Sequence, residues 1–209
     1  MDALFEKLHQ KLNNELQTSG GIYLVVGLGN PGREYRNTRH NMGFLALDHL
    51  AAHWSITTLK VQGKAIISTG QYAGNKVILA KPQTYMNLSG QAVSALMNFY
   101  KVPLEHLLVI HDDVDIPFGT IRIRPGGGFG GQKGVGSIIE KLGTQEFARM
   151  RLGVGRPPGQ MDTANYVLQS FSKEDEEFLQ SVFAKSDEAV ETFITEGLNT
   201  AMNRFNGVV

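Results

Sequence analysis

Residues 22–32 read Ile22-Tyr23-Leu24-Val25-Val26-Gly27-Leu28-Gly29-Asn30-Pro31-Gly32, an apolar run that delivers a loop of three glycines and a proline. A run rich in branched and aromatic residues, bounded by Gly and Pro, predicts a buried strand. The end of such a strand is where open α/β sheets place their ligand crevices. Glycine tolerates backbone conformations that side chains forbid, so this loop is able to bend closely around a ligand. Tyr35, Thr38, Arg39, His40 and Asn41 follow, with no apolar period to explain them as core. Function is expected to concentrate there.

Outward from this segment, apolar runs at 65–68, 76–80, 107–110, 120–124 and 151–155 read as further strands. Between them the spacing predicts helices over 42–54 (Leu47, Leu50, Ala51, Trp54), 89–100 (Val93, Leu96, Met97, Tyr100) and 135–142. Near the C-terminus Ser172 and Asp175 have the spacing of a helix cap, ahead of the stripe Phe178, Leu179, Val182, Phe183, Val190, Phe193 and Ile194. Gly197 interrupts that stripe before Leu198 resumes it. Alternating strand and helix implies an α/β sheet covered on both faces. The 209 residues supply one apolar core, and therefore one domain over 21–209. Phe5, Leu8, Leu12 and Leu16 predict an amphipathic helical extension over 1–20.

The chain has no cysteine, which removes disulfides, a thiol nucleophile and thiolate metal sites together. The first 20 residues lack the apolar core of a secretory signal, and no run is long enough for a membrane helix, so a cytoplasmic protein without a membrane partner is expected. The net charge is zero but unevenly spread. Arg122, Arg124, Lys133, Lys141, Arg149, Arg151 and Arg156 outnumber Glu140 and Glu146 between 116 and 160, whereas 172–196 is strongly acidic. One basic face would suit a localised polyanion; ordinary solvated faces are the bland alternative.

Gly27-x-Gly29-x-x-Gly32 satisfies a short dinucleotide pattern, but the segment after Pro31 is polar where that fold needs an apolar helix, and its later acidic residue has no counterpart. His49 and His53 have zinc-compatible spacing, yet they lie opposite the Leu47/Leu50/Trp54 stripe and read as a solvated face. No serine elbow or phosphate loop is present, so a hydrolase here would use water as nucleophile. Such chemistry needs a base near neutral pKa and a group that fixes its tautomer. His40 with a carboxylate from His111-Asp112-Asp113-Val114-Asp115 is the plausible pair. Asp112 is preferred, although spacing alone does not separate it from Asp113. A third polar cluster, Lys81 to Asn87, precedes a helix: Asn87 is either a helix cap or a neutral hydrogen-bonder, and Tyr85 either core or a stacking platform.

Together these segments closely resemble bacterial peptidyl-tRNA hydrolases, from about Tyr23 to Phe205. The motifs are Gly27 to Gly32 with Tyr35, Thr38 to Phe44, Thr84 to Gly90, His111 to Asp115 with Pro117 and Gly119, and the loop Gly126 to Gly131. The resemblance implies a mixed, mostly parallel twisted sheet with helices on both faces, no cofactor and no metal. It implies cleavage of the ester between a peptide and the tRNA 3′ end, with peptidyl-tRNA as partner and the protein acting as a monomer. His40 would be the general base, Asp112 its orienter, and Asn30 the reader of the acylated amino group. Tyr35, Tyr85 and Asn87 would line the cleft, and Arg124 and Arg151 would meet the tRNA 5′ phosphate beside the acceptor stem. The chain departs from the family at Gln132-Lys133-Gly134, where His-Asn-Gly is usual, so a cation replaces a substrate-binding amide at Lys133. Altered affinity rather than lost chemistry is expected. The rival is a non-catalytic RNA-binding protein on the same scaffold, as in the chloroplast intron-splicing factor that resembles this family.

Overall fold

The computed structural model describes residues 20–209; the extension predicted over 1–20 falls almost wholly outside them. The run that opens the fold forms β1 (Ile22–Gly27) at the centre of an eight-stranded sheet. The order is β2 (Lys60–Gln62), β3 (Ala65–Tyr72), β4 (Asn75–Pro82), β1, β5 (Leu107–Asp113), β7 (Ala148–Gly153), β6 (Thr120–Arg124), β8 (Gly207–Val208). The four neighbours β4, β1, β5 and β7 are mutually parallel, and β3 and β6 turn the sheet antiparallel on either side. Mixed sheets of this kind keep their parallel strands inside, where helices cover both faces.

Alternation along β1 builds two cores. Leu24 and Val26 pack under α2 (Ser89–Tyr100) and α3 (Lys133–Leu142), with Ile78, Val109 and Phe147. Val25 points the other way, toward α1 (Met42–His53), α5 (Lys173–Glu196) and α6 (Leu198–Phe205). Successive side chains on a strand face opposite sides, so a continuously apolar strand is what a sheet buried on both faces requires.

The Ser172–Asp175 cap forms in both directions at the start of α5, and Gly197 separates α5 from α6 at φ 86°. Strand β7 begins three residues earlier than the 151–155 run predicts, because Ala148, Arg149 and Met150 pair with Leu108, Val109 and Ile110. The buried Arg149 conceals the strand in the sequence. Its guanidinium donates to the carbonyls of Gly127, Gly128 and Gln145, pinning the glycine loop instead of offering charge to a ligand. The solvated-face reading of His49 and His53 is corrected at His49 alone: α5 packs on that side of α1 and Asp187 pairs with the half-buried His49, whereas His53 stays exposed with Glu191 at 3.4 Å.

The register decides where the polar clusters go. Val26 is level with Ala80 and Val109, so the loop after β1, the loop after β4 and the end of β5 emerge along one edge of the sheet. Helix α1 then comes down directly on the strand ends. A Cβ at Gly27 would lie 2.2 Å from the Gly43 carbonyl oxygen, and one at Gly43 would lie 2.4 Å from the Ile110 oxygen. Only glycine at both positions allows that approach, which brings the turn before α1 over the end of β5.

Candidate active site

His40 lies on the 3-10 turn Arg39–Asn41 and Asp112 on β5, and their side chains meet with Nδ1 2.9 Å from Asp112 Oδ2. The turn is anchored from outside. Arg39 donates to the carbonyls of Gln169 and Ser170 and stacks 4.5 Å over the ring of Tyr166 on α4 (Thr163–Val167), so its charge is used in holding the fold. The His40 side chain is 16% exposed and Asp112 is buried. With Nδ1 taken by the carboxylate, Nε2 is the nitrogen left for solvent.

Electrostatics at the pair are one-sided. Burial pulls the His40 pKa down, but the charge and hydrogen bond of Asp112 outweigh it; the ring sits above its ordinary value, with Lys133 pulling back. Burial pushes the Asp112 carboxyl up, yet His40, the Gln132 hydrogen bond and His111 more than reverse this, holding it below the usual carboxylate range. His111 donates from Nδ1 to the Asp112 carbonyl at 2.7 Å, and complete burial keeps its pKa low.

Asn30 is fixed by partners that sequence reasoning did not identify. Asn41 accepts from the Asn30 backbone N–H at 2.8 Å and donates to the Asn30 carbonyl at 3.0 Å. The Asn30 side-chain oxygen accepts from the Met86 N–H at 2.8 Å. That bond decides the amide orientation, leaving Nδ2 as a donor without a partner among the described residues. Asn41 was legible as a polar residue in the run but not as a clamp.

A cleft of about 700 Å³ unites these groups: Asn30, His40, Tyr85, Asn87, Asp112 and Lys133 all line it, with Gln132, Val167 and Leu168. Tyr85 is 64% exposed, which excludes the core reading. Asn87 makes no capping bond to α2, whose N-cap is Leu88, so the cap reading fails too. Tyr35 is not brought to this wall; it sits on the adjacent turn Arg33–Tyr35, and its carbonyl accepts from Thr38. Arg124 and Arg151 lie apart, around a smaller recess of about 110 Å³ with Arg149, His111 and the glycine loop. The two hollows share Asp113 and Gly130, so the basic recess adjoins the cleft. Arg151 is paired with Asp113 at 2.7 Å, and Arg124 is exposed. Among the described residues no three His, Asp or Glu side chains are grouped to hold a metal ion.

A histidine–carboxylate pair opening on a cleft walled by carboxamides, at the strand ends of an α/β sheet, has the geometry that general-base chemistry requires, as in hydrolases that use water as nucleophile. A family model described as peptidyl-tRNA hydrolase matches residues 24–209. The peptidyl-tRNA hydrolase of Chloroflexus aggregans is 50% identical over 186 residues, covering 88% of this chain and 99% of that protein. A chloroplastic peptidyl-tRNA hydrolase of Arabidopsis thaliana is 46% identical over 185 residues, covering 88% of this chain and 64% of that one. The crystal structure of the Acinetobacter baumannii peptidyl-tRNA hydrolase superposes with a TM-score of 0.83 at 35% identity, covering 90% of this chain and 95% of that one. The chain belongs to the peptidyl-tRNA hydrolase family.

Proposed function

We propose that this chain hydrolyses the ester joining a peptide to the 3′ end of tRNA, with His40 as general base. The supporting observation is the His40–Asp112 pair at the wall of the cleft that also holds Asn30 and Asn87. Asp112 keeps the imidazole proton on Nδ1, so Nε2 accepts a proton as water adds to the ester carbonyl. The tetrahedral adduct then expels the ribose oxygen, which takes the proton back from His40. The products are a free peptide acid and tRNA. An activated ester needs little beyond a positioned water, a base and donors toward the developing oxyanion.

Selectivity follows from the fixed amide of Asn30. Its unpartnered Nδ2 donates to the carbonyl of an N-acyl group, whereas a free ammonium offers only donors and is mismatched. Tyr85 presents a ring for stacking by the terminal base, and Asn87 a carboxamide for the peptide backbone. Lys133 takes a phosphate of the 3′ end, while Arg124 and Arg151 take the 5′ phosphate of the acceptor stem. Hydrolysis of N-acetyl-aminoacyl-tRNA beside unblocked aminoacyl-tRNA tests this. Release of the acylated amino acid only, lost by roughly 10²–10⁴-fold in His40→Ala, is expected. RNA binding without turnover would favour the non-catalytic reading, and full turnover by His40→Ala would remove the assigned base.

A further inference from the structure

Gln132 is buried at the junction of three segments that supply the cleft, and both ends of its amide are used. Oε1 accepts from the backbone N–H of Gly134 at 2.6 Å and of Val135 at 3.1 Å, capping α3. These two bonds fix the amide's orientation, because only its oxygen is able to accept. Nε2 must therefore face the other way, where it donates to Asp112 Oδ1 at 3.0 Å and touches Met86 Sδ at 3.5 Å. Met86 in turn holds Asn30 through its backbone N–H. A continuous chain runs from Asn30 through Met86, Gln132 and Asp112 to His40.

We infer that Gln132 is a positioning residue for the reaction, an amide strut that ties the Asp112 carboxylate to the start of α3 and so sets the orientation and basicity of His40. The inference rests on His40 being the base. Asp112 has two oxygens, and only one meets the imidazole. A carboxylate held by one oxygen is able to pivot about its side chain; a second donor, itself fastened to a helix terminus, stops that rotation. The same donor disperses part of the carboxylate charge, which moderates how strongly Asp112 holds a proton on His40. The other titratable groups around the pair are Lys133 on α3, His111 and Asp113 on β5, and Asp162 across the cleft. Asp113 is engaged by Arg151, and Gln132 is the side chain that donates to Asp112 Oδ1, opposite His40 on Oδ2.

The test is Gln132→Asn. Asparagine is a good N-cap, so α3 is retained, but the shorter side chain withdraws the donor from Asp112. Gln132→Met, of similar volume without donor or acceptor, is the second variant. In each, the His40 pKa followed by nitrogen NMR is expected to rise by about half a pH unit or more, because a carboxylate without the amide holds the imidazolium more firmly. The rising limb of kcat/KM against pH should move up with it, kcat should fall about tenfold, and KM should stay within about twofold. Gln132→His, which restores a ring N–H donor, should return the limb toward its original position. If either folded variant leaves the NMR pKa and the pH limb unmoved, Gln132 only caps the helix and the inference is wrong. That outcome differs from failure of the base assignment, which would show as activity surviving His40→Ala while the NMR shift still reports on Gln132.

Discussion

Helix α1 is flanked by two histidine–aspartate pairs of nearly equal geometry and different use. His40 meets Asp112 at 2.9 Å before the helix starts, and His49 meets Asp187 of α5 at 2.8 Å along its outer face. Both aspartates are buried. The Asp112 carboxyl has a donor on its second oxygen and is held below the usual range. Asp187 has no partner for Oδ1 among the described residues, and burial pushes it up to about 6 in spite of His49. The histidine contact outweighs burial at Asp112, where Gln132 and His111 add to it, and does not at Asp187, where Glu191 adds to the effect of burial. The surroundings differ as well. His40 opens on the cleft, whereas His49 leans on Phe183 at the contact of α1 with α5 and is not among the residues that line the cleft. In the proposed reaction the first pair transfers a proton; the second joins α1 to α5.

The contrast is broken most severely at Asp112. Asp112→Asn should lower kcat/KM by roughly 10²–10⁴-fold, since an asparagine amide is able to donate to Nδ1 and stabilise the wrong tautomer. The residual activity should rise at lower pH than in the unaltered enzyme. Asp112 is what lifts His40 above its ordinary value, so without it the neutral base is present sooner. An unchanged pH limb measured on N-acetyl-aminoacyl-tRNA would show that Asp112 does not act on the base.

At the second pair the effect should appear in stability alone. His49→Ala strands a buried carboxylate and is expected to cost about 1–3 kcal/mol in urea unfolding at pH 7, while kcat/KM stays within about twofold. The sign of the pH dependence is fixed by Asp187. The folded state keeps its proton to about pH 6, against 3.8 for the ordinary group, so the contribution of Asp187 to stability declines as pH rises through that window. Removing His49, which holds the Asp187 pKa down, should extend the decline to higher pH. A loss of turnover comparable to that of Asp112→Asn would merge the two pairs into one functional system and end the distinction.

Much of the site was legible because the strand ends gather it. Asn30, Asn87, His40 and Asp112 each follow or flank an apolar run, and parallel strands in register carry such loops to one edge. The choice between Asp112 and Asp113 was not legible, because it depends on which β5 residue faces the turn before α1. Gln132 looked like a departure from a motif; its work appears only when the start of α3 and the end of β5 are in place. Arg149 counted as surface charge in the sequence, but the glycine loop folds over it and supplies its acceptors. His49 was misread because helical periodicity identifies the apolar stripe against the sheet and not a polar position covered by a second helix; His53, one turn on, is exposed as expected. Tyr35 was assigned to the cleft by the family resemblance, and it sits on the turn beside the cleft rather than among the residues that line it.

The most direct measurement is the protonation of the two ring nitrogens of His40 by long-range proton–nitrogen NMR, with His49 as a reference in the same spectrum. Above its pKa, His40 is expected to carry its proton on Nδ1, facing Asp112, and to present a bare Nε2 to the cleft. A neutral His40 with its proton on Nε2 would contradict the account, since that ring could accept no proton from water bound in the cleft.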